Sequence, residues 1–130
     1  MSKEAEIDRG FAVMEEMAGP EFVKAAREGI AAGGFCSELA SMGASNAFAG
    51  PWARPGLDRR SRSLFTLGVL MGQRHTAELR YHVRIAIKNG VTVREIEELI
   101  YQLTIYGGFP TAVQAAHAAR EELQVLGLLD

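Results

Sequence analysis

Residues 75–89 read HTAELRYHVRIAIKN, and the alternation of apolar and charged residues in this stretch is that of an amphipathic α-helix. At about 100° per residue, the basic side chains of Arg80, Arg84 and Lys88 fall on one side, which predicts a solvated face. An apolar stripe lies beside that face and consists of Leu79, Val83 and Ile87. Asn89 and Gly90 follow directly and are typical of a helix C-terminus.

The same helical periodicity continues on both sides of this stretch. The predicted helices are one around residues 7–17, one from Pro20 to Gly33-Gly34, a weaker one within 35–49, one from an Asp58 N-cap to about Gln73, one behind a Thr92–Glu95 capping box, and one opened by Pro110. No segment has the alternation of a β-strand. The sequence therefore predicts an all-α protein.

The domain organisation follows from length and from one connector. A chain of 130 residues has room for one domain with one core. Within it, residues 1–49 hold the N-terminal helices and residues 50–130 hold the remaining helices. Residues 50–56, GPWARPG, are predicted to lack regular structure because two prolines and two glycines interrupt it. Residues 64–71 are apolar almost all round, which predicts that their helix lies at the centre of the core.

Composition excludes several classes of function. The net charge of -2 argues against nucleic acid or an anionic membrane as a partner, since both attract basic surfaces. No apolar run approaches the roughly 20 residues that span a bilayer, and the polar N-terminus is unlike a signal peptide. The one cysteine, Cys36, cannot form an internal disulfide and is expected to be a small buried hydrophobe. We therefore expect a cytoplasmic protein.

Glu78 and His82 are the candidate chemical groups. They lie one helical turn apart, on the side of the predicted helix opposite its basic face, so we expect both to point inward. His75 would join them if the helix extends back that far. Three interpretations remain open: a structural hydrogen bond between helices, a metal site of His75, Glu78 and His82, and acid–base chemistry in a pocket.

Other candidates carry less information. Trp52, the one tryptophan, lies in the connector and either packs or lines a pocket. His117 in the last helix is expected to be an ordinary packed or surface histidine. Arg59, Arg60 and Arg62 begin a helix and form a solvated face, of which one residue can point at a ligand.

Three stretches resemble the carboxymuconolactone decarboxylase family. They are WARPGLDRRSRSL at 52–64, ELRYHVRIAIKNG at 78–90 and IYGGFP at 105–110. The resemblance implies an all-α fold of the alkylhydroperoxidase D type, assembled as a homotrimer or homohexamer with pockets near subunit contacts. The segment FAGPW at 48–52 departs from the W-G-x-x-W that decarboxylases of the family tend to have, which leaves the substrate open.

The resemblance also implies a chemistry. Peroxidases of the superfamily carry C-x-x-C-x-x-x-H, and matching its histidine to His82 places His75 and Glu78 at the two cysteines, so dithiol chemistry is not implied. Implied instead is decarboxylation of 4-carboxymuconolactone or a similar carboxylated lactone without cofactor or metal. His82 would be the general acid and Glu78 would orient it. The implied substrate contacts are Arg62, Trp52, His75, Tyr106 and, across a subunit contact, Arg84.

Two other functions stay open at this point. One is a peroxiredoxin-like activity, which superfamily membership alone would suggest. The other is a helical binding or assembly module without turnover.

Overall fold

The structure is a computed structural model that describes residues 1–130. It contains seven α-helices: α1 (Lys3–Ala18), α2 (Pro20–Ala32), α3 (Leu39–Gly43), α4 (Arg59–Gly72), α5 (Thr76–Lys88), α6 (Val93–Tyr106) and α7 (Phe109–Val125). A π-helical segment, Ala44–Phe48, follows α3, and a 3₁₀ turn, Pro51–Ala53, precedes α4. There is no β-strand, so the prediction of an all-α protein is confirmed.

The chain divides into two compact units, Met1–Leu57 and Asp58–Asp130. Each unit has its own cluster of buried apolar side chains, whereas the length of the chain predicted one core. The boundary lies at the end of the Pro/Gly connector. The division of a single domain into residues 1–49 and 50–130 stays a prediction.

The predicted helix starts are confirmed by their capping bonds. The Asp58 carboxylate accepts a 2.6 Å hydrogen bond from the backbone N–H of Ser61. Hydrogen bonding by the Ser61 side chain, and next by its backbone N–H, lowers the pKa of Asp58. Thr92 and Glu95 form the reciprocal capping box, with bonds of 3.1 and 2.9 Å. These ends are local features of the sequence, because each is set by side chains within one turn of the helix terminus.

The connector and the third helix differ from the prediction. Pro51–Ala53 forms a 3₁₀ turn, although residues 50–56 were expected to have no regular structure. Proline is compatible with the first position of a short helical turn, since its missing N–H would have no partner there. The weak helix within 35–49 is a five-residue α3 that widens into a π-helical segment.

The first unit packs α1 against the π-helical segment at a close contact. Its buried cluster is centred on Phe11, Met14 and Val23, with Ala44 between them. Gly10 is buried on α1, and a Cβ atom there would overlap the backbone carbonyl of Ala44. Glycine at this position therefore permits the two backbones to approach each other.

Gly10→Ala is expected to destabilise the protein by about 1–3 kcal/mol, because backbone atoms must move to admit the methyl group. Gly29→Ala is the matched control: Gly29 is exposed on α2, and its Cβ would meet nothing within 4 Å. That change is expected to stabilise by roughly 0.5–1 kcal/mol through helix propensity. Urea unfolding of both variants measures the difference, and equal midpoints would contradict this packing.

The second unit contains the larger cluster. Leu67, Met71, Val83, Ile96 and Leu123 are its main buried side chains, contributed by α4, α5, α6 and α7. Helix α4 is not enclosed all round, contrary to prediction: Phe65 is 73% exposed and Val69 is 38% exposed. The neighbouring helices cover only one side of α4, so its opposite apolar side remains open within one chain.

Two further expectations concern single features. No helix of the chain combines the length and the apolar character needed to cross a bilayer. Cys36 was expected to be buried but is exposed, in a turn after α2 where it adopts a positive φ of 56°. The turn carries it away from the apolar cluster of its unit.

Candidate active site

The helix that carries Glu78 and His82 starts at an unusual turn. Helix α4 ends with a hydrogen bond from the N–H of Arg74 to the carbonyl of Met71 and another from His75 to Leu70. This is the Schellman pattern, in which the residue in the left-handed conformation is usually glycine. Here it is Arg74, with a φ of 59°. His75 is the N-cap of α5 and lies outside the helix.

Helix α5 buries a broader face than the one predicted. Its buried residues are Leu79, Val83, Ile85 and Ala86, while Glu78 is exposed and His82 is partly buried. The expectation that Glu78 points inward is therefore wrong for the single chain. At about 100° per residue, Glu78 lies on the same side of the helix as the buried Ile85 and Ala86, but in the first turn of α5, where it is exposed. His75 is exposed as well.

The environment of His82 is the main electrostatic feature of this helix. Burial lowers the pKa of His82 below its ordinary value of 6.5, and the negative charge of Glu78 opposes that shift. The Nδ1 atom of His82 is buried and makes no hydrogen bond, while the residue is held by other interactions. The imidazole is therefore partly removed from water, with a carboxylate one turn away on its exposed side.

The lowered pKa of His82 predicts a pH dependence of stability. Above pH 6.5 the imidazole is neutral in both the folded and the unfolded chain, so it adds no pH dependence. As the pH falls below 6.5, the unfolded chain takes up the proton first and the free energy of unfolding decreases, until the folded pKa is passed.

The thermal midpoint of His82→Gln is therefore expected to decrease less between pH 7.5 and pH 5 than that of the wild type. His117→Gln, which removes an exposed histidine of α7, is the matched control. The measurement is a series of thermal unfolding curves across this range. Parallel curves for wild type and His82→Gln would contradict the buried environment of the imidazole.

The basic face of α5 is paired with α7. Arg80 contacts Glu121 at 2.5 Å, and Arg84 donates from Nε and Nη2 to one oxygen of Glu122, at 2.9 and 2.6 Å. The prediction that this face is polar and solvated fits these exposed ion pairs. Arg84 already has a carboxylate partner, which limits its use as a substrate contact within one chain.

The remaining predicted substrate contacts are spread over both units. Trp52 is buried in the 3₁₀ turn of the first unit. In the second unit Arg62 is partly buried on α4, and Tyr106 is 84% exposed at the end of α6. His117 is exposed, which agrees with the expectation of an ordinary packed or surface histidine. No three or more His, Cys, Asp or Glu side chains are grouped as metal ligands, so His75, Glu78 and His82 do not form such a group.

Two polar contacts of the second unit, one at each end of α5, were not predicted. The Nε of Arg74 donates to the hydroxyl of Thr111, which is buried, at 3.0 Å and so connects the start of α5 with the first turn of α7. Asn89 donates to the hydroxyl of Ser63, also buried, at 3.0 Å and connects the end of α5 with α4. The apolar pattern around Ser63 could have indicated that its hydroxyl needs a partner.

Three surface grooves of the second unit are lined by neither Glu78 nor His82. One lies between α6 and α7, one between α5 and α7 around Arg80 and Arg84, and one between α4 and α6 beside Tyr106. The groove between α4 and α6 is almost wholly apolar and holds about 220 Å³. Tyr106 therefore lines a groove, although not one shared with the histidine.

Comparison with known proteins gives a family model and several relatives. The model described as the carboxymuconolactone decarboxylase family matches residues 37–121. The 4-carboxymuconolactone decarboxylase of Acinetobacter baylyi is 34% identical over 128 residues, which are 98% of this chain and 94% of the relative. The nitrosuccinic acid decarboxylase of Metarhizium robertsii is 39% identical over 108 residues, 83% of this chain and 74% of the relative.

Proposed function

Because the chain belongs to the carboxymuconolactone decarboxylase family, we propose that it is a carboxy-lyase that works without a cofactor on a small dicarboxylic acid. The observation that carries the proposal is the partly buried imidazole of His82. Burial lowers the pKa of this imidazole, and the negative charge of Glu78 opposes the shift. A histidine donates a proton most readily at a pH near or below its pKa, and the charge of Glu78 limits how far burial lowers that pKa. The first substrate to test is 4-carboxymuconolactone, and the expected setting is breakdown of aromatic compounds in the cytoplasm.

The two named relatives define a class of substrate by its chemistry. In 4-carboxymuconolactone the carboxylate leaves from a carbon whose electrons can pass through the ring double bond into the lactone carbonyl. In nitrosuccinic acid it leaves from a carbon that bears a nitro group, which accepts the electron pair in the same way. Both acids keep a second carboxylate on a short arm. We expect this chain to act on acids that supply their own electron acceptor and carry such an arm.

The reaction then needs one proton from the protein. The bond between the carbon and its carboxylate breaks, carbon dioxide leaves, and the electron pair moves into the acceptor group. Protonated His82 gives its proton to the resulting carbanion equivalent, which for the lactone is the dienolate at its α-carbon, and is reprotonated from water. Partial removal of the site from water favours this step, because charge on the leaving carboxylate is lost as carbon dioxide forms. Glu78 stabilises the protonated imidazole and orients it.

The second carboxylate of the substrate needs a cationic partner, and Arg62 is our first candidate. A guanidinium binds a carboxylate through two parallel hydrogen bonds. Arg62 is partly buried on α4. Trp52 and Tyr106 are the proposed apolar walls, with His75 at the start of α5.

We propose that the site is completed in a homotrimer or homohexamer. Glu78 is exposed and Tyr106 is 84% exposed in one chain, where a catalytic pocket would need to exclude water. Several large apolar side chains of the second unit are also exposed, among them Phe65, Ile105 and Phe109. Exposed apolar surface of this extent is typical of contacts between subunits.

The deciding experiment is incubation of the purified protein with 4-carboxymuconolactone and, separately, with nitrosuccinic acid, following carbon dioxide release. Turnover of either acid supports the proposal. The ratio of the two rates shows whether the site prefers a lactone carbonyl or a nitro group as the electron acceptor of its substrate. Binding of small dicarboxylates without turnover would instead indicate a binding module. Consumption of an organic hydroperoxide with excess reductant would indicate a peroxidase, although one cysteine per chain allows no intrachain dithiol cycle.

A further inference from the structure

One buried hydrogen bond joins the helix of the proposed proton donor to helix α4. The Nδ2 atom of Asn89, directly after the end of α5, donates to the hydroxyl oxygen of Ser63 on α4 over 3.0 Å. Ser63 is only 1% exposed, so water cannot easily replace a lost partner of its hydroxyl. The bond therefore fixes the contact between the two helices at this point.

Asn89 lies on the same side of α5 as the two candidate chemical groups. At about 100° per residue, Glu78, His82 and Asn89 fall within about 40° of one another around the helix. Because Asn89 reaches Ser63, this side of α5 faces α4 at the C-terminal end of α5. The hydrogen bond thus attaches the side that carries the proposed proton donor to α4.

Helix α4 carries, next to Ser63, the first candidate for binding the second carboxylate of the substrate. Arg62 directly precedes Ser63 in the chain and is partly buried. A hydrogen bond at Ser63 therefore relates the position of Arg62 on α4 to that of His82 on α5. His82 lies seven residues before Asn89, about 10 Å along the helix, so the bond is remote from the reacting atoms.

We propose that Ser63 and Asn89 are positioning residues, whose hydrogen bond holds the proton donor of α5 in register with the carboxylate-binding arginine of α4. This inference rests on the proposed function. A misplacement of about 1 Å, caused by a change far from the chemistry, can cost about 10²-fold in rate. The pair acts through the relative placement of the two helices and does not touch the substrate.

Ser63→Ala and Asn89→Ala test the pair, since each removes one partner of the bond. Each is expected to lower kcat about 10- to 100-fold with little change in KM, because Arg62 still binds the carboxylate while the proton donor is misplaced. The double variant should lose no more than either single variant, since all three lack the same interaction. Asn89→Asp can accept a hydrogen bond from the Ser63 hydroxyl and should recover most of the rate.

Thr111→Val is the matched control. The hydroxyl of Thr111 is also buried and accepts a 3.0 Å hydrogen bond, from Arg74, but it connects the start of α5 with α7 and not with α4. Its loss should also lower the thermal midpoint, while kcat stays at the wild-type value. If Ser63→Ala and Thr111→Val lower kcat equally, or if the losses of the Ser63 and Asn89 variants add in the double variant, the positioning role is overturned.

A measurement without substrate separates this inference from the proposed function. Nuclear magnetic resonance of the three histidine rings, assigned with His82→Gln and His117→Gln, reports the surroundings of each ring. Ser63→Ala and Asn89→Ala should shift the His82 signals, and Thr111→Val should leave them in place. Unshifted His82 signals in both pair variants would show that the bond does not position the imidazole. A wild type that releases no carbon dioxide from either acid would instead end the proposed function, and shifted signals would still support the link between the pair and the imidazole.

Discussion

His82→Gln is expected to lower kcat/KM for the decarboxylated acid by about 10²–10⁴-fold, the contribution of a positioned proton donor. Glutamine keeps a similar length and can still donate a hydrogen bond, but it cannot transfer a proton at neutral pH. The imidazole is only partly buried, so the substitution should leave the helix intact. Steady-state rates of carbon dioxide release measure the loss.

The control for this change is His117→Gln, on the exposed face of α7. It alters the histidine content equally and should retain the wild-type rate. Circular dichroism and light scattering on both variants separate a catalytic loss from misfolding or altered assembly. A folded His82→Gln protein that turns over at the wild-type rate would remove His82 from the mechanism.

The helices were predictable because their ends are set by neighbouring residues. Asp58 bonds to Ser61 and Thr92 bonds to Glu95, so each start is decided within four positions of the chain. Gly90 likewise supplies the positive φ of 97° at the end of α5. Interactions of this range can be read from a sequence without knowing the tertiary structure.

The exposure of Glu78 was not predictable in the same way. Three basic residues marked one side of α5, and the opposite side was therefore expected to be buried. Ile85 and Ala86 on that opposite side are buried, as are Leu79 and Val83 beside it. Glu78 lies on the same side but in the first turn of α5, where it is exposed. Coverage of a first turn depends on the neighbouring elements, which the periodicity of one helix does not show.

Side-chain contacts between distant residues also lay beyond the sequence. Arg74 occupies a left-handed position where Gly90 and Gly127 stand at equivalent helix ends. Its hydrogen bond to Thr111 joins residues 37 positions apart, and no local pattern indicates that pairing. The candidate residues of the site could thus be named from the sequence, while their surroundings required the fold.

Glu78→Gln is expected to change the pH profile of the reaction as well as its rate. As a general acid, His82 is active when protonated, so kcat/KM should fall as the pH rises through its pKa. Burial lowers that pKa and the charge of Glu78 opposes the shift, so neutralising Glu78 lowers the pKa further. The declining limb of the profile should therefore move to lower pH.

The loss in Glu78→Gln should consequently grow with pH. At pH values below the declining limbs of both profiles, His82 is protonated in the wild type and in the variant. The difference in kcat/KM that remains there, about tenfold, reports only the orientation of the imidazole. At pH values above the declining limb of the wild type, the variant loses further activity because a smaller fraction of its His82 is protonated. Glu78→Asp retains the negative charge, so its limb should stay closer to that of the wild type.

This comparison separates an electrostatic role of Glu78 from a structural one. A purely structural role would lower the rate by the same factor at every pH and leave the limb in place. An unmoved limb, or one displaced to higher pH, would therefore show that Glu78 does not stabilise the protonated imidazole. Because Glu78 is exposed in the single chain, the charge effect should also weaken with added salt unless a neighbouring subunit covers it. Profiles of kcat/KM against pH, recorded at low and at high ionic strength, therefore test two points. They show whether the charge of Glu78 acts on His82, and whether a neighbouring subunit shields Glu78 from solvent.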